Sequence, residues 1–510
     1  MTSRDEAGLR YGSRQGRWVL LATVLGSAVA SIDATVVGVA LPAIGREFHA
    51  GMTTLQWVVT AYTLTLAGLL LVAGALGDRY GRKRVFLAGV VWFAAASLLC
   101  AIASTAPVLV AARALQGVGA ALLTPGSLAI LEASFRPEDR GKAIGAWSGL
   151  GGVATAIGPF LGGWLIQVAS WRWIFVINLP VAVAVVAVAW RHVPESRDPA
   201  ATGAVDVPGG LLATTGLVGL TYGLIEGGSR RWGDPVVLAA LAAGVGLLGA
   251  FVAVERRVAA PMLPLSLFAS TRFSGTNAVT FAVYGALGGV LFLLPIELQQ
   301  VSGYTALQAG MSLLPVTVIM LTLSARSGAL GARIGPRPQL TVGPLLVGVG
   351  LALMARIGSG GDYLTDVLPA VVVLGLGLAA TVAPLTATVL AAVPDRHAGM
   401  ASAVNNDVAR AAGLIVVAVL PAVAGIDGAA YLHPARFAAG FRTASFISAG
   451  LCLVGGLTGA VALRSRHRPP AAPAPQTSPA AQAALAAPAP QTSPAAHPMH
   501  CCLDAPPLPR

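Results

Sequence analysis

The chain has 510 residues, of which 55% are hydrophobic and only 11% charged, with a mean hydropathy of +0.75. A soluble domain cannot cover that much apolar surface, so the composition excludes a water-soluble globular protein. The net charge of +12 does not point to nucleic acid, because the basic residues are scattered through short loops rather than gathered on one face.

Fourteen apolar runs are long enough to cross a hydrocarbon core of about 30 Å as helices. They are predicted at 17–40, 54–77, 85–104, 107–131, 142–166, 172–190, 207–226, 235–254, 273–298, 306–328, 338–356, 364–391, 399–424 and 440–463. Alternating-polarity segments of about ten residues, the signature of a membrane barrel, are absent. The expected class is therefore an all-α polytopic membrane protein. At the start, Arg14, Arg17, the run WVLLATVLG and AVA at 28–30 imitate a secretory signal. The apolar run continues through TVVGVALPAI and is too long for a signal core.

Basic residues alternate between the two sets of loops. Arg14, Arg17, Arg79, Arg82, Lys83, Arg84, Arg136, Arg140, Lys142, Arg191, Arg272, Arg333, Arg337 and Arg464 fall on one side, and little beyond Arg46, Arg172, Arg230, Arg231, Arg356 and Arg436 on the other. The positive-inside rule then places both termini in the cytoplasm of a cell-membrane protein. Beyond Arg468 the chain is rich in Pro and Ala, and AAPAPQTSPAA occurs at 471–481 and again at 486–496. That composition is expected to be a disordered tail. Cys100 and Cys452 lie within spans, and Cys501 and Cys502 in the tail, so no disulfide framework is indicated.

GALGDRYGRKRVF at 74–86 returns as GALGARIGPRPQL at 328–340, displaced by 254 residues with six of thirteen positions identical. The first copy joins spans two and three and the second joins spans ten and eleven. Two six-helix halves fit that offset only if two helices are inserted between them. The expected organisation is a cytoplasmic segment 1–16, a six-helix bundle 17–190, an inserted pair 207–254, a second bundle 273–463 and the tail 464–510. An axis along the membrane normal would relate the two bundles, as in parallel-repeat transporters.

In the repeated turn, Gly77 and Gly81 permit a tight bend. Asp78 ends its helix where the dipole repels it, so it needs a partner; Arg82 is the local candidate and Glu132 could complete a charge relay. Such a latch is expected to form when the transporter opens outward and to break when it opens inward. Within the spans, Asp33 and Arg113 fall at similar depth, where each charge costs about 2.5–3.5 kcal/mol on insertion scales. Burial disfavours the carboxylate ion and a nearby guanidinium favours it, so an arginine that moved would switch the proton affinity of Asp33. A static ion pair fixing helix packing is the structural alternative. Asp407 in span thirteen is a second candidate, for protonation or for a cationic substrate, unless it pairs with Arg410 one turn away. Glu226 and Glu297 are expected at the interface, in reach of water. Gly145, Gly149, Gly152, Gly158, Gly162 and Gly163 of span five are expected to let helices approach closely, with Pro159 removing one backbone bond. No Walker loop or His/Cys spacing suggests ATP use, a metal site or any other cofactor. His49, His192, His397 and His433 read as solvated loop residues.

Four stretches resemble the major facilitator superfamily, and within it the fourteen-span drug:proton antiporters. GALGDRYGRKRVF resembles the superfamily signature between helices two and three. SIDATVVGVALPAI at 31–44 resembles the first-helix motif, with Gly38 at the usual Asn. RALQGVGAALLTPG from Arg113 resembles the fourth-helix motif, and GAWSGLGGVATAIGPFLGG from Gly145 the antiporter motif, with Ala154 at a usual Gly. RWIFVINLPV from Arg172 is also similar to the family. The resemblance implies a major facilitator fold of two six-helix bundles plus two inserted helices. It also implies that the Gly145, Gly158, Pro159, Gly162 and Gly163 segment seals the cavity against proton leak. The expected function is proton-coupled export of small amphipathic or cationic drug-like compounds by alternating access, with protons and the lipid bilayer as further partners. Proton-coupled uptake and a non-transporting membrane sensor or scaffold are the alternatives.

Overall fold

The computed structural model describes residues 8–198, 206–258, 261–394, 397–428, 431 and 433–463. The tail 464–510, with Cys501 and Cys502, lies outside the described residues. Among the described residues fourteen helices are long and apolar enough to span a membrane. They are α1 (Arg14–Phe48), α2 (Met52–Tyr80), α3 (Arg82–Ala101), α4 (Ala106–Ser134), α5 (Pro137–Val168), α6 (Trp173–His192) and α7 (Val207–Arg230), followed by α8 (Pro235–Glu255), α9 (Thr271–Gln300), α10 (Ala306–Ile334), α11 (Pro336–Met354), α12 (Tyr363–Leu390), α13 (Gly399–Val423) and α14 (Pro434–Ala462). Only helices satisfy every backbone group within one segment in hydrocarbon, which is why each apolar run takes this form. Fourteen crossings bring the chain back to the face on which it began, here called the near face; the opposite one is the far face.

Polar side chains start the helices as the sequence dictates. Ser13 accepts a hydrogen bond from Gly16 N, Asp234 from Val236 N, and Thr305 and Gln308 close a capping box. α1 outruns its apolar stretch. Its 35 residues rise about 52 Å at 1.5 Å each, so it projects past the hydrocarbon. Glu47 near its far end accepts from Arg172 Nη1 and Trp171 Nε1, each at 2.6 Å. His49, in the left-handed region at φ 50°, ends the helix.

The repeat is visible in helix starts, since α2 to α10 and α3 to α11 are each displaced by 254 residues. Packing repeats with it: α3 lies on α4 as α11 lies on α12, and α9 on α14. α7 and α8 pack on each other, and α7 packs against α2 and α13. Close approach sets these contacts. At Gly119 of α4, an added Cβ would lie 2.6 Å from Phe93 N of α3, so only glycine lets the backbones meet. Outward-facing side chains such as Trp92, Trp164, Trp190 and Phe446 give the bundle an apolar exterior.

The two halves touch mainly toward the far face. Gln56 Nε2 of α2 donates to Val417 O and Ala418 O of α13 at 2.8 and 3.0 Å. Gln299 Nε2 of α9 donates to Val39 O of α1 at 2.9 Å. Gly163 of α5 meets the backbone of Ala306 and Leu307, and Gly310 meets that of Pro159.

Gly119→Ala is expected to destabilise the protein by about 1–3 kcal/mol through overpacking. Gly246→Ala, where an added Cβ meets nothing within 4 Å, should leave stability unchanged or slightly raised. Thermal unfolding of the solubilised protein checks this, and equal melting of the two variants would refute the packing argument.

Candidate functional site: a buried acid and arginine beside a central cavity

Asp33 of α1 and Arg113 of α4 are fully buried and form an ion pair, Arg113 Nη1 donating to Asp33 Oδ2. The pair belongs to a wider network. Gln116 Nε2, one turn after Arg113, donates to Asp33 Oδ1 at 2.8 Å and to Ser97 Oγ of α3 at 2.8 Å. Asn178 Nδ2 of α6 donates to the same Asp33 oxygen at 3.2 Å. Arg113 also donates from Nε to Val58 O at 3.1 Å and from Nη1 to Gln116 Oε1 at 2.6 Å. Its guanidinium carbon lies 4.3 Å from the centre of the Tyr62 ring, within cation–π range. Five helices therefore meet in one network, and donors from α4 and α6 occupy both oxygens of the carboxylate. Gln116, Ser97, Asn178 and Tyr62 were not singled out in the sequence; the i,i+3 polar pair in RALQ and the lone amide in FVINLP were the available signals.

The expectation left open whether Asp33 faces protein or water. In this conformation it faces protein. A central cavity of about 500 Å³ lies between the halves, lined by Thr35, Ser148, Gly152, Leu291, Thr317 and Met320 among others. That size falls in the range of drug-sized sites. Its lining includes hydroxyls but no charged residue. Thr35 brings α1 to the cavity wall two residues beyond Asp33.

α5 corrects one expectation. At Gly158 and Gly162 an added Cβ would collide with Thr35 and Val36 of α1, and at Gly163 with α10. At Gly145, Gly149 and Gly152 it would meet nothing within 4 Å. The motif is thus split: tight toward the far face, where Pro159 and Gly310 meet, and open toward the near face, where α5 and α10 diverge around the cavity.

The repeated turn is tied up differently from the expected relay. Arg82 binds Asp78 at 2.8 Å and reaches Ala129 O of α4 at 3.3 Å. Glu132 is exposed and makes no ion pair among the described residues. Glu195, just after α6, takes the place assigned to it, accepting from Lys83 N at 3.1 Å and pairing with Arg84 at 3.6 Å. Gly81 has φ 116°, and a Cβ there would press on Glu195. Gly77 leaves room beside Arg82. The Asp78–Arg82 pair is intact in this conformation. In the second copy Gly335 keeps the positive φ of 81°, but Gln339 and Ser327, both uncharged, make the bond, at 2.8 Å.

The remaining acids separate. Glu226 is at the far end of α7, bonded by Trp57, Ser229 and Arg230. Glu297 is fully buried, and neither carboxylate oxygen has a hydrogen-bond partner. The interfacial expectation fails because α9 is enclosed by protein to its end, where Tyr304 N folds back onto Leu298 O at 2.8 Å. Asp407 forms no salt bridge with Arg410, and its Oδ1 is buried without a partner. It lies on α13, outside the Asp33 network. His192 is not a free loop residue either; it ends α6 and stacks on Trp18 with ring centres 5.0 Å apart.

Breaking the central pair should show strong coupling. Arg113→Leu is expected to cost about 3–5 kcal/mol, because it strands a buried carboxylate. Asp33→Leu combined with Arg113→Leu should cost less than Arg113→Leu alone. Thermal unfolding of both variants tests this, and simple addition of the two single costs would refute it.

Comparison with known proteins agrees with this arrangement. The model of the Major Facilitator Superfamily matches residues 23–418. The chain is 37% identical over 422 residues to puromycin resistance protein pur8 of Streptomyces alboniger, covering 81% of this chain and 83% of that protein. It is 35% identical to the tetracenomycin C resistance and export protein of Streptomyces glaucescens, over 80% of this chain and 76% of the other. It is 36% identical to multidrug resistance protein Stp of Mycobacterium tuberculosis, over 81% and 77%. Among solved structures, a bacterial homologue of the human lysosomal transporter Spinster, inward-facing and unoccupied, shares the fold. It has a TM-score of 0.63 at 17% identity, covering 88% of this chain and 98% of that one. With fourteen membrane helices, a buried acid–arginine pair and resistance proteins as relatives, this multi-pass chain belongs to the major facilitator superfamily of transporters and is not an enzyme.

Proposed function

We propose that the chain is a proton-coupled antiporter that exports small amphipathic compounds, both termini being cytoplasmic and the near face facing the cytosol. The relatives' resistance and export names support the direction, and the loop charges support the orientation. The observation that carries the coupling is the buried Asp33–Arg113 pair, one helical turn from the α1 residues that seat α5.

With Asp33 ionised, Arg113, Gln116 and Asn178 all donate to it. A proton on Asp33 removes the charge that Arg113 answers and leaves the guanidinium to Val58 O and the Tyr62 face. α1 is then free to shift against α4. The same helix carries Thr35 and Val36 into the Gly158 and Gly162 notches, so its shift is felt at the seam between the halves. Substrate loads the central cavity from the near side, and the halves rock about the Pro159 and Gly310 contact to open the far side. Protonation of Asp33 from outside resets the cycle. Asp78 and Arg82 hold the α2–α3 turn as one rigid corner during that motion, and Gly145 lines the widening gap.

Expression in a drug-susceptible bacterium should raise resistance to some members of a panel of dyes, cations and antibiotics. In everted vesicles holding a pH gradient, adding such a compound should release protons. Asp33→Asn should abolish both effects while the protein still reaches the membrane. Full coupling in that variant, or substrate accumulation in intact cells, would sink the proposal.

A further inference from the structure

A second, smaller cavity lies away from the central one and shares no lining residue with it. Its volume is about 220 Å³. Its walls include Gly68 of α2, Gly210 and Leu217 of α7, Phe251 of α8, Phe268 of the following linker and Asp407 of α13. Among the described residues Asp407 is its only polar lining residue. The carboxylate has Oδ1 shut off from solvent without a hydrogen-bond donor. Arg410 does not line the cavity and forms no ion pair with Asp407, although it is near enough for its charge to act on the carboxylate.

The inserted pair builds this site. Thr214 Oγ1 of α7 donates to Gly68 O at 2.9 Å, and an added Cβ at Gly68 would run into Thr214. Toward the far face, Trp57 Nε1 donates to Glu226 Oε1 at 3.4 Å, and Gly228 abuts Ala422 of α13. α7 thus closes the α2–α13 seam at one end and leaves an apolar chamber around an acid at the other. The chamber is smaller than the roughly 300–1,000 Å³ of drug-sized pockets, so it suits a head group rather than a whole drug. A carboxylate on a wall otherwise apolar, with Phe251 and Phe268 beside it, suits a monovalent organic cation, whose desolvation aromatic rings help to offset.

We infer that the inserted helices form, with α2 and α13, a side site that takes the quaternary ammonium head of a cationic amphiphile against Asp407, its tail lying along the bilayer. The inference rests on the exporter reading only for the fate of the ligand, not for its binding.

The test is equilibrium binding of dodecyltrimethylammonium, against an uncharged dodecyl amphiphile, to the full chain in lipid nanodiscs. Asp407→Asn and Ala213→Phe, the latter filling the chamber from α7, should each weaken binding of the cation by about tenfold or more. Neither should change binding of the uncharged amphiphile. In Ala213→Cys, the cation should slow maleimide labelling, and Asp407→Asn should remove that protection; this reading stands even if the phenylalanine variant fails to fold. Unchanged cation binding in Asp407→Asn, or equal loss for both amphiphiles as a lipid-tail groove would give, overturns the inference. So does protection of Ala213→Cys that persists without the acid. Absence of efflux with intact cation binding would count against the exporter reading alone.

Discussion

A carboxylate and a guanidinium set at mid-depth in an apolar bundle must satisfy each other, because no water is at hand to do it. Much of the first half is arranged around that requirement. Arg113 cannot be buried without Asp33, and Asp33 uses Gln116 and Asn178 to complete its acceptors. Their helices are in turn fixed by Ser97 and Tyr62. A network with every member satisfied is rigid.

The two seams between the halves are handled by different means. Along α5 and α10, backbone meets backbone at Gly163 and Gly310, and nothing else is needed. Along α2 and α13, the amide of Gln56 bridges directly at the far end, and α7 covers the rest. The inserted pair therefore acts as a side wall for one seam only. A transporter with just twelve helices would leave that flank to lipid.

How much of this was legible follows from what hydropathy and spacing measure. Apolar runs fix the fourteen spans, since length and polarity decide whether a segment crosses a membrane. The 254-residue echo locates the inserted pair, and equal depth brings Asp33 and Arg113 together. What escapes is azimuth. Depth alone could not reveal that Glu195, over a hundred residues from the turn, folds back to it while Glu132 stays unpaired among the described residues. Nor could it show that the end of α9 is enclosed, which buries Glu297. The neutral amides went unnoticed because Gln116 and Asn178 cost little in a hydropathy sum, yet they complete the site. The glycines of α5 read as one motif, and only the crossing of α5 over α1 and α10 divides it in two.

That division has an evolutionary corollary. Positions 158, 162 and 163 admit no side chain without displacing α1 or the start of α10. Positions 145, 149 and 152 are steric free space bordering or approaching the cavity. One helix thus keeps its bearing surface and its adaptable surface on separate turns. New side chains can be tried against new compounds on one stretch without disturbing the hinge on the other.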